Sequence, residues 1–268
     1  MSYSVQLFEK IKEYASPKEI SWVEAKTNGN IQVLQTAFVA TPRFVSKTII
    51  SSTETINDVS INGWTLDRLV RVYLLTTLDS SDKAIYKKNL DTLFETAENN
   101  EAVALISALP FFAYPDYWLL RATDAVRSNI GLVFDAIAFQ NPFPMQHFSE
   151  LAWNQLVLKC IFNGKPIHNI QGLNERANQA LANSISNLAH ERWAAGRTIP
   201  AQAWRLVSKF MNDAIFEDIC TLFVSQNSND NIAAALVCSE TDFFAAKEEL
   251  KNHQELQNKN FSWATLEV

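Results

Sequence analysis

The chain has 268 residues, 47% hydrophobic and 19% charged, which is enough for one sizeable core or two modest ones and too apolar for disorder. A formal net charge of −6 without any basic stripe leaves no electrostatic footprint for nucleic acid. The three cysteines, Cys160, Cys220 and Cys238, stand far apart without metal or redox spacing and read as reduced, buried thiols of a cytoplasmic protein.

Only six glycines punctuate the chain, which favours helices over a sheet-and-turn architecture. The start, Met1 to Ser4, has no basic stretch followed by an apolar run and reads as mature sequence. Val5, Phe8, Ile11 and Tyr14 give a first amphipathic helix. Ser16 caps a second, with Pro17 at its first position and Glu19 at its third, and Asn28-Gly29 stops it. A third helix spans Asn30 to about Ala40. Residues 46 to 62, rich in Ser, Thr and Asn and without periodicity, are expected to form a surface loop and the weakest joint of the fold.

Beyond Gly63, Thr65 reads as a cap, with Leu66, Leu69, Val70, Tyr73 and Leu74 on one helical face. Asp82 caps the next helix, and Asn99 to Leu109 forms a short apolar one. The most apolar window, Ala102 to Tyr114, is shorter than the ~20 residues of a membrane-spanning helix and contains Pro110. Pro115 opens another helix, and Leu151 to Lys159 makes a strong one. A long helix follows Asn178, another starts at Pro200, and others cover Asp213 to Phe223 and Asn231 to Cys238. The last helix runs from Thr241 to about Asn258 and ends charged. Helix, short turn, helix is the rhythm throughout. The prediction is a single all-α domain over residues 1–268, an irregular helical stack of antiparallel pairs similar to HEAT repeats, with a compact orthogonal bundle as the alternative.

The apolar run Ile130 to Phe139 carries one charge, Asp135, and a helix apolar all round is normally buried. On the long helix, Leu181, Ile185, Leu188 and Ala189 set a stripe whose next position is Arg192. A dry guanidinium needs a partner, so a polar core is expected in which Asp135 pairs with Arg192, Arg127 or Arg197. Asn141 holds the rigid Asn141-Pro142-Phe143-Pro144 turn. Asn154, inside an apolar helix body, either bonds buried groups or lines a polar pocket. His190 and Glu191 resemble the start of a zinc-protease helix, but the second ligand position is Ala194, so no metal and no cofactor is expected. Gly164-Lys165-Pro166 lacks the rest of a phosphate loop, and no Gly-x-Ser-x-Gly elbow is present.

An ordered series of motifs resembles the EboA family. It comprises Trp64-Thr65-Leu66-Asp67-Arg68-Leu69, Ser107-Ala108-Leu109-Pro110, Phe134-Asp135-Ala136-Ile137-Ala138 with Asn141-Pro142 and Pro144, Ala152-Trp153-Asn154-Gln155, Gln171-Gly172-Leu173 with Arg176-Ala177-Asn178, and Ala189 through Arg197. The similarity covers about residues 60 to 240, with a less certain helical part before it and a C-terminal helix and tail, 241–268, after it. Phe143 stands where the family more often carries tyrosine, so that position has no hydroxyl for chemistry. The resemblance implies a role in moving or maturing a secondary metabolite. It also implies partners from the same gene cluster, a UbiA-like membrane prenyltransferase among them, and it carries over no catalytic residue.

Two readings follow. In the first, the protein is a non-catalytic scaffold or metabolite-binding protein, with Asp135, Asn141, Asn154, His190, Glu191, Arg192 and Arg197 facing a ligand or partner. In the second, it is an enzyme acting on a small isoprenoid- or sugar-linked precursor, with Asp135, His190 and Glu191 as acid–base groups.

Overall fold

Local caps decide where the first helices begin. In the computed structural model, which describes all residues except Met1, Asn28, Gly29, Asn258 and Val268, Ser2 caps α1 (Tyr3–Tyr14). Ser16 and Glu19 form a reciprocal capping box on α2 (Pro17–Glu24), each side chain bonding the other's backbone N–H. Asn30 caps α3 (Ile31–Ala40) through Oδ1, which accepts from the N–H groups of Gln32 and Val33. The Asn28-Gly29 stop, and Asn258 at the end of the last predicted helix, lie outside the described residues.

Contacts group the chain into two compact units, Met1–Phe148 and Ser149–Val268. In the first, α4 (Leu66–Thr76) is the hub and packs on α1, α3 and α6 (Asn99–Ala108). Nine of its eleven residues are buried, including Asp67 and Arg71. Thr65 precedes it in extended conformation but makes no side-chain cap bond. Between α4 and α6 runs α5 (Lys83–Thr96), capped by Asp82. The unit then continues through α7 (Leu119–Arg127), α8 (Gly131–Ala138) and the short α9 (Phe143–His147), with α6 and α7 both against α8.

Residues 46–62 are largely exposed and irregular, as expected of a surface loop, but the loop is anchored. Ile50, Ile56, Val59 and Ile61 are all buried, and each contributes about 1.5–3 kcal/mol by leaving water. The segment folds into a two-residue hairpin, β1 (Thr55–Ile56) against β2 (Val59–Ser60). Its turn residues, Asn57 and Asp58, have φ of 51° and 61°, the left-handed pair that suits the twist of a tight hairpin. Asn57 Nδ2 donates to the Pro110 carbonyl at 2.7 Å, tying the hairpin to the end of α6. The segment lacks helical period because it is a mostly exposed loop, pinned by four buried side chains and a minimal hairpin.

In the second unit, α13 (Ser228–Glu240) is the hub and packs on α12 (Asp213–Phe223), on α14 (Phe244–Leu250) and on the 3-10 turn Ala201–Leu206. The helix expected from Pro200 is therefore 3-10, continued at Ser208–Phe210. Helix α10 (Glu150–Phe162) packs on α11 (Gln179–Ala194), and α15 (Gln254–Gln257) completes the unit. Helix stacked on helix makes the fold all-α, as predicted, and the hairpin is the only sheet among the described residues.

Candidate functional site: a cavity beside buried arginines

Helix α4 places Asp67 and Arg71 one turn apart, so a four-residue step brings their side chains together. Arg71 Nη1 lies 3.5 Å from Asp67 Oδ2, and Nη2 lies 4.0 Å from Glu101 Oε1 on α6. Arg71 Nε also donates to the Phe38 carbonyl at 3.0 Å. All three ions are buried, at 3% exposure for Arg71, 5% for Asp67 and 6% for Glu101. Burial pulls the Arg71 pKa down, and the carboxylates of Asp67, Glu101 and Glu98 oppose it. Two carboxylates against one guanidinium leave this cluster formally one negative charge in excess.

Arg68, on the next face of α4, supplies the opposite charge without joining the cluster. Its Nη2 and Nε donate to Ser107 Oγ at 2.7 and 3.0 Å, and its guanidinium lies 4.1 Å over the Trp64 ring. No carboxylate pairs with it among the described residues. Burial pushes this guanidinium down to about 9, so it stays charged at neutral pH at a cost in solvation. Arg68, Arg71 and Trp64 line a cavity of about 370 Å³ together with Asp135, Lys47 and Gln140. Gln140 adopts φ 55°, rare for a non-glycine residue, and its carbonyl accepts from Ser60 of the hairpin. Beneath the cavity, buried Asn141 donates through Nδ2 to the carbonyls of Ala136 and Ile106 and accepts from the Phe143 N–H, which locks α8 to α6.

Residues 4–208 match the family model of EboA, the metabolite traffic protein. The chain belongs to the EboA family. No curated protein and no solved structure matches it. The matched span contains the whole cavity of the first unit and ends at Ser208, before α12. Three stretches that carried the EboA resemblance, Trp64–Leu69, Ser107–Pro110 and the Asp135 segment, bring Trp64, Arg68, Ser107 and Asp135 to this one place. Sequence reasoning singled out Asp135 and missed Asp67, Arg68, Arg71, Glu101 and Ser107. The available signal was the four-residue spacing of Asp67 and Arg71 inside an apolar helix.

The other predicted residues take up different surroundings. Asp135 is half-buried and faces the cavity, and its helix is not buried all round, because Leu132 is 61% exposed. Arg127, expected in a polar core, is instead exposed and pairs with Asp124 one turn back. In the second unit, buried Asn154 exchanges two amide bonds with Asn178, at 2.9 and 3.1 Å, and Asn178 caps α11. His190 Nε2 meets Asp218 Oδ1 at 2.5 Å, and the other oxygen of Asp218 accepts from Ser186 at 2.6 Å. That serine bonds the carboxylate and not the imidazole, so the three do not form a nucleophilic triad, in which the hydroxyl would face the histidine. Glu191 is exposed on a shallow groove with Phe162 and Leu158.

Arg192 meets a ring and a carbonyl. Its guanidinium lies 4.2 Å over Phe162 and donates to the Phe162 carbonyl at 2.5 Å. Gly196 (φ 66°) ends α11: its N–H bonds the Trp193 carbonyl and the Arg197 N–H bonds the Arg192 carbonyl, the paired bonds of a Schellman cap. Arg197 itself is exposed. The motif from Ala189 to Arg197 is thus largely a helix ending. Among the described residues no cluster of His, Cys, Asp and Glu could hold a metal, and no helix is long and apolar enough to cross a membrane.

Proposed function

We propose that this member of the metabolite traffic family is a non-catalytic binding protein, and that its first-unit cavity holds an anionic small molecule. The observation that carries this reading is Arg68. It is a desolvated cation fixed by Ser107 and Trp64, without a carboxylate of its own, on the wall of a cavity of about 370 Å³. That volume lies within the range of small-molecule sites, roughly 300–1,000 Å³. The guanidinium is already immobilised, so an incoming carboxylate or phosphate forms charge-assisted bonds without ordering a free side chain. Trp64 adds an apolar wall for the body of the ligand. In this reading the protein works in the cytoplasm beside the other proteins of its gene cluster, including a UbiA-like prenyltransferase, and passes a metabolite between them.

Native mass spectrometry of the protein from its own host tests the proposal. The wild type should retain a small anionic adduct. Arg68→Met should hold it about 10–100-fold more weakly, the worth of a charge-assisted bond. Circular dichroism should show the variant folded, since Ser107 keeps its bond to the Val103 carbonyl. Equal occupancy in both proteins, or no adduct in either, would overturn the reading.

A further inference from the structure

Helix α2 and the turn after it carry Lys18, Trp22 and Lys26 at four-residue steps, so the three lie along one face. The Lys26 ammonium stands 5.9 Å from the centre of the Trp22 ring. Phe44, which follows the 3-10 turn Thr41–Arg43, is 51% exposed and stacks on Trp22, with ring centres 4.9 Å apart and planes 14° from parallel. Beside this pair a groove of about 400 Å³ is lined by Val33, Ala37 and Ala40 of α3 and by Lys26, and no carboxylate lines it among the described residues. Lys18 and Arg43 are exposed outside the groove. None of Lys18, Lys26 and Arg43 meets a carboxylate among the described residues, whereas Lys10 and Lys12 on α1 are both paired. Glu19, the acid next to Lys18, is engaged elsewhere: bonds from Ser16 and Ser46 take up both its oxygens.

We propose that this corner of the first unit docks on an anionic lipid bilayer. Lys18, Lys26 and Arg43 meet the lipid phosphates, and Phe44 with Trp22 enters the interface, the level at which aromatic rings settle. The charge pattern selects the partner. An acidic helix lying in the groove would reach Lys26 but leave Lys18 and Arg43 beside it, while a flat anionic surface meets all three. The chain as a whole carries −6, so attraction to such a surface has to come from a local patch. This surface shares no residue with the Arg68 cavity and does not depend on it.

Sedimentation of the full chain with vesicles tests the proposal, using phosphatidylcholine alone and phosphatidylcholine mixed with phosphatidylglycerol. Binding should appear with the mixture only and weaken as salt rises from about 0.05 M to about 0.5 M. Each cation at an anionic surface is worth roughly fivefold in binding, so Arg43→Glu, which removes one and adds a repelling charge, should weaken it about 10–30-fold. Lys18→Glu should do the same, and it guards against misfolding as the explanation. An acid in the first turn of α2 suits the helix dipole, so the unfolding midpoint should be kept or raised. Phe44→Ser should weaken binding about tenfold by removing apolar surface from the interface. Arg68→Met should bind vesicles as the wild type does, which separates this surface from the anion of the first cavity. Equal binding to the two vesicles, binding that survives Arg43→Glu or Lys18→Glu, unchanged binding in Phe44→Ser, loss in Arg68→Met, or no binding to either vesicle would each overturn the proposal. The last result, together with binding of poly-L-glutamate that Arg43→Glu abolishes, would assign the patch to an acidic protein instead.

Discussion

In the first unit the guanidinium of Arg71 lies between Asp67 and Glu101, and the three are at most 6% exposed. In the second unit the buried carboxylate of Asp218 is held by Ser186 and by His190, whose side chain is 57% exposed. The first arrangement keeps opposite ions dry, and the second leads a buried charge out to water through an imidazole. Dry ions interact strongly but have no substitute partner when one is removed. A carboxylate with a path to solvent can be rehydrated. The same contrast separates Arg71 from Arg68: the first is paired with carboxylates, while its neighbour has none and is the group proposed to meet a ligand.

The sharpest way to break this comparison is to delete the centre of the dry cluster. Arg71→Met should strand Asp67 and Glu101 together in the core and cost about 3–5 kcal/mol, read from urea unfolding. A loss under 1 kcal/mol would mean that the cluster is hydrated and the contrast mistaken. Asp218→Ala comes next. It removes the acceptor of Ser186 and the partner of His190, but the histidine already reaches water, so only the serine hydroxyl is left buried and unpaired. The expected cost is about 1–3 kcal/mol by the same measurement. A cost equal to that of Arg71→Met would erase the difference between the units.

What could be read in the sequence was local. The Ser16–Glu19 box, Asn30, Asp82 and the start at Asn178 are bonds across two or three residues, so their spacing alone declares them. The Asp67–Arg71 step was equally local and could have been found. Glu101 was not legible, because nothing in α6 says that it turns towards α4. Asp218 lies 28 residues beyond His190, and only the packing of α12 near α11 joins them. The hairpin escaped because strands of two residues carry no usable alternation, while its Asn57-Asp58 turn was present but unweighted. Arg192 shows the limit of stripe reasoning. The face was read correctly to Ala189, but α11 ends two residues past Arg192, where the side chain lies over Phe162.

Glu19 gives the smallest effect, and it separates the units by pH. One carboxylate oxygen accepts from the Ser16 N–H and hydroxyl, both at 2.7 Å, and the other accepts from the Ser46 N–H at 2.7 Å. Partial burial is the largest single influence and pushes the pKa up, but the bonds from Ser16 and Ser46 together outweigh it and bring the group from 4.5 down to about 2. A carboxyl whose folded pKa is depressed binds its proton more weakly when folded. Its stabilisation is therefore complete above the unfolded value near 4.5 and is lost as pH falls through about 2. Glu19→Gln removes that dependence. At pH 7 the variant should be weaker by about 1–2 kcal/mol after allowance for solvent screening, with the gap closing between pH 4.5 and pH 2. Hydrogen exchange resolved by peptide should place the loss at α2 and the segment around Ser46, with peptides after Ser149 unchanged. A gap that stays constant with pH would show that the carboxylate acts only through the shape of the cap, and the charge would then have no part in anchoring α2 to the hairpin segment.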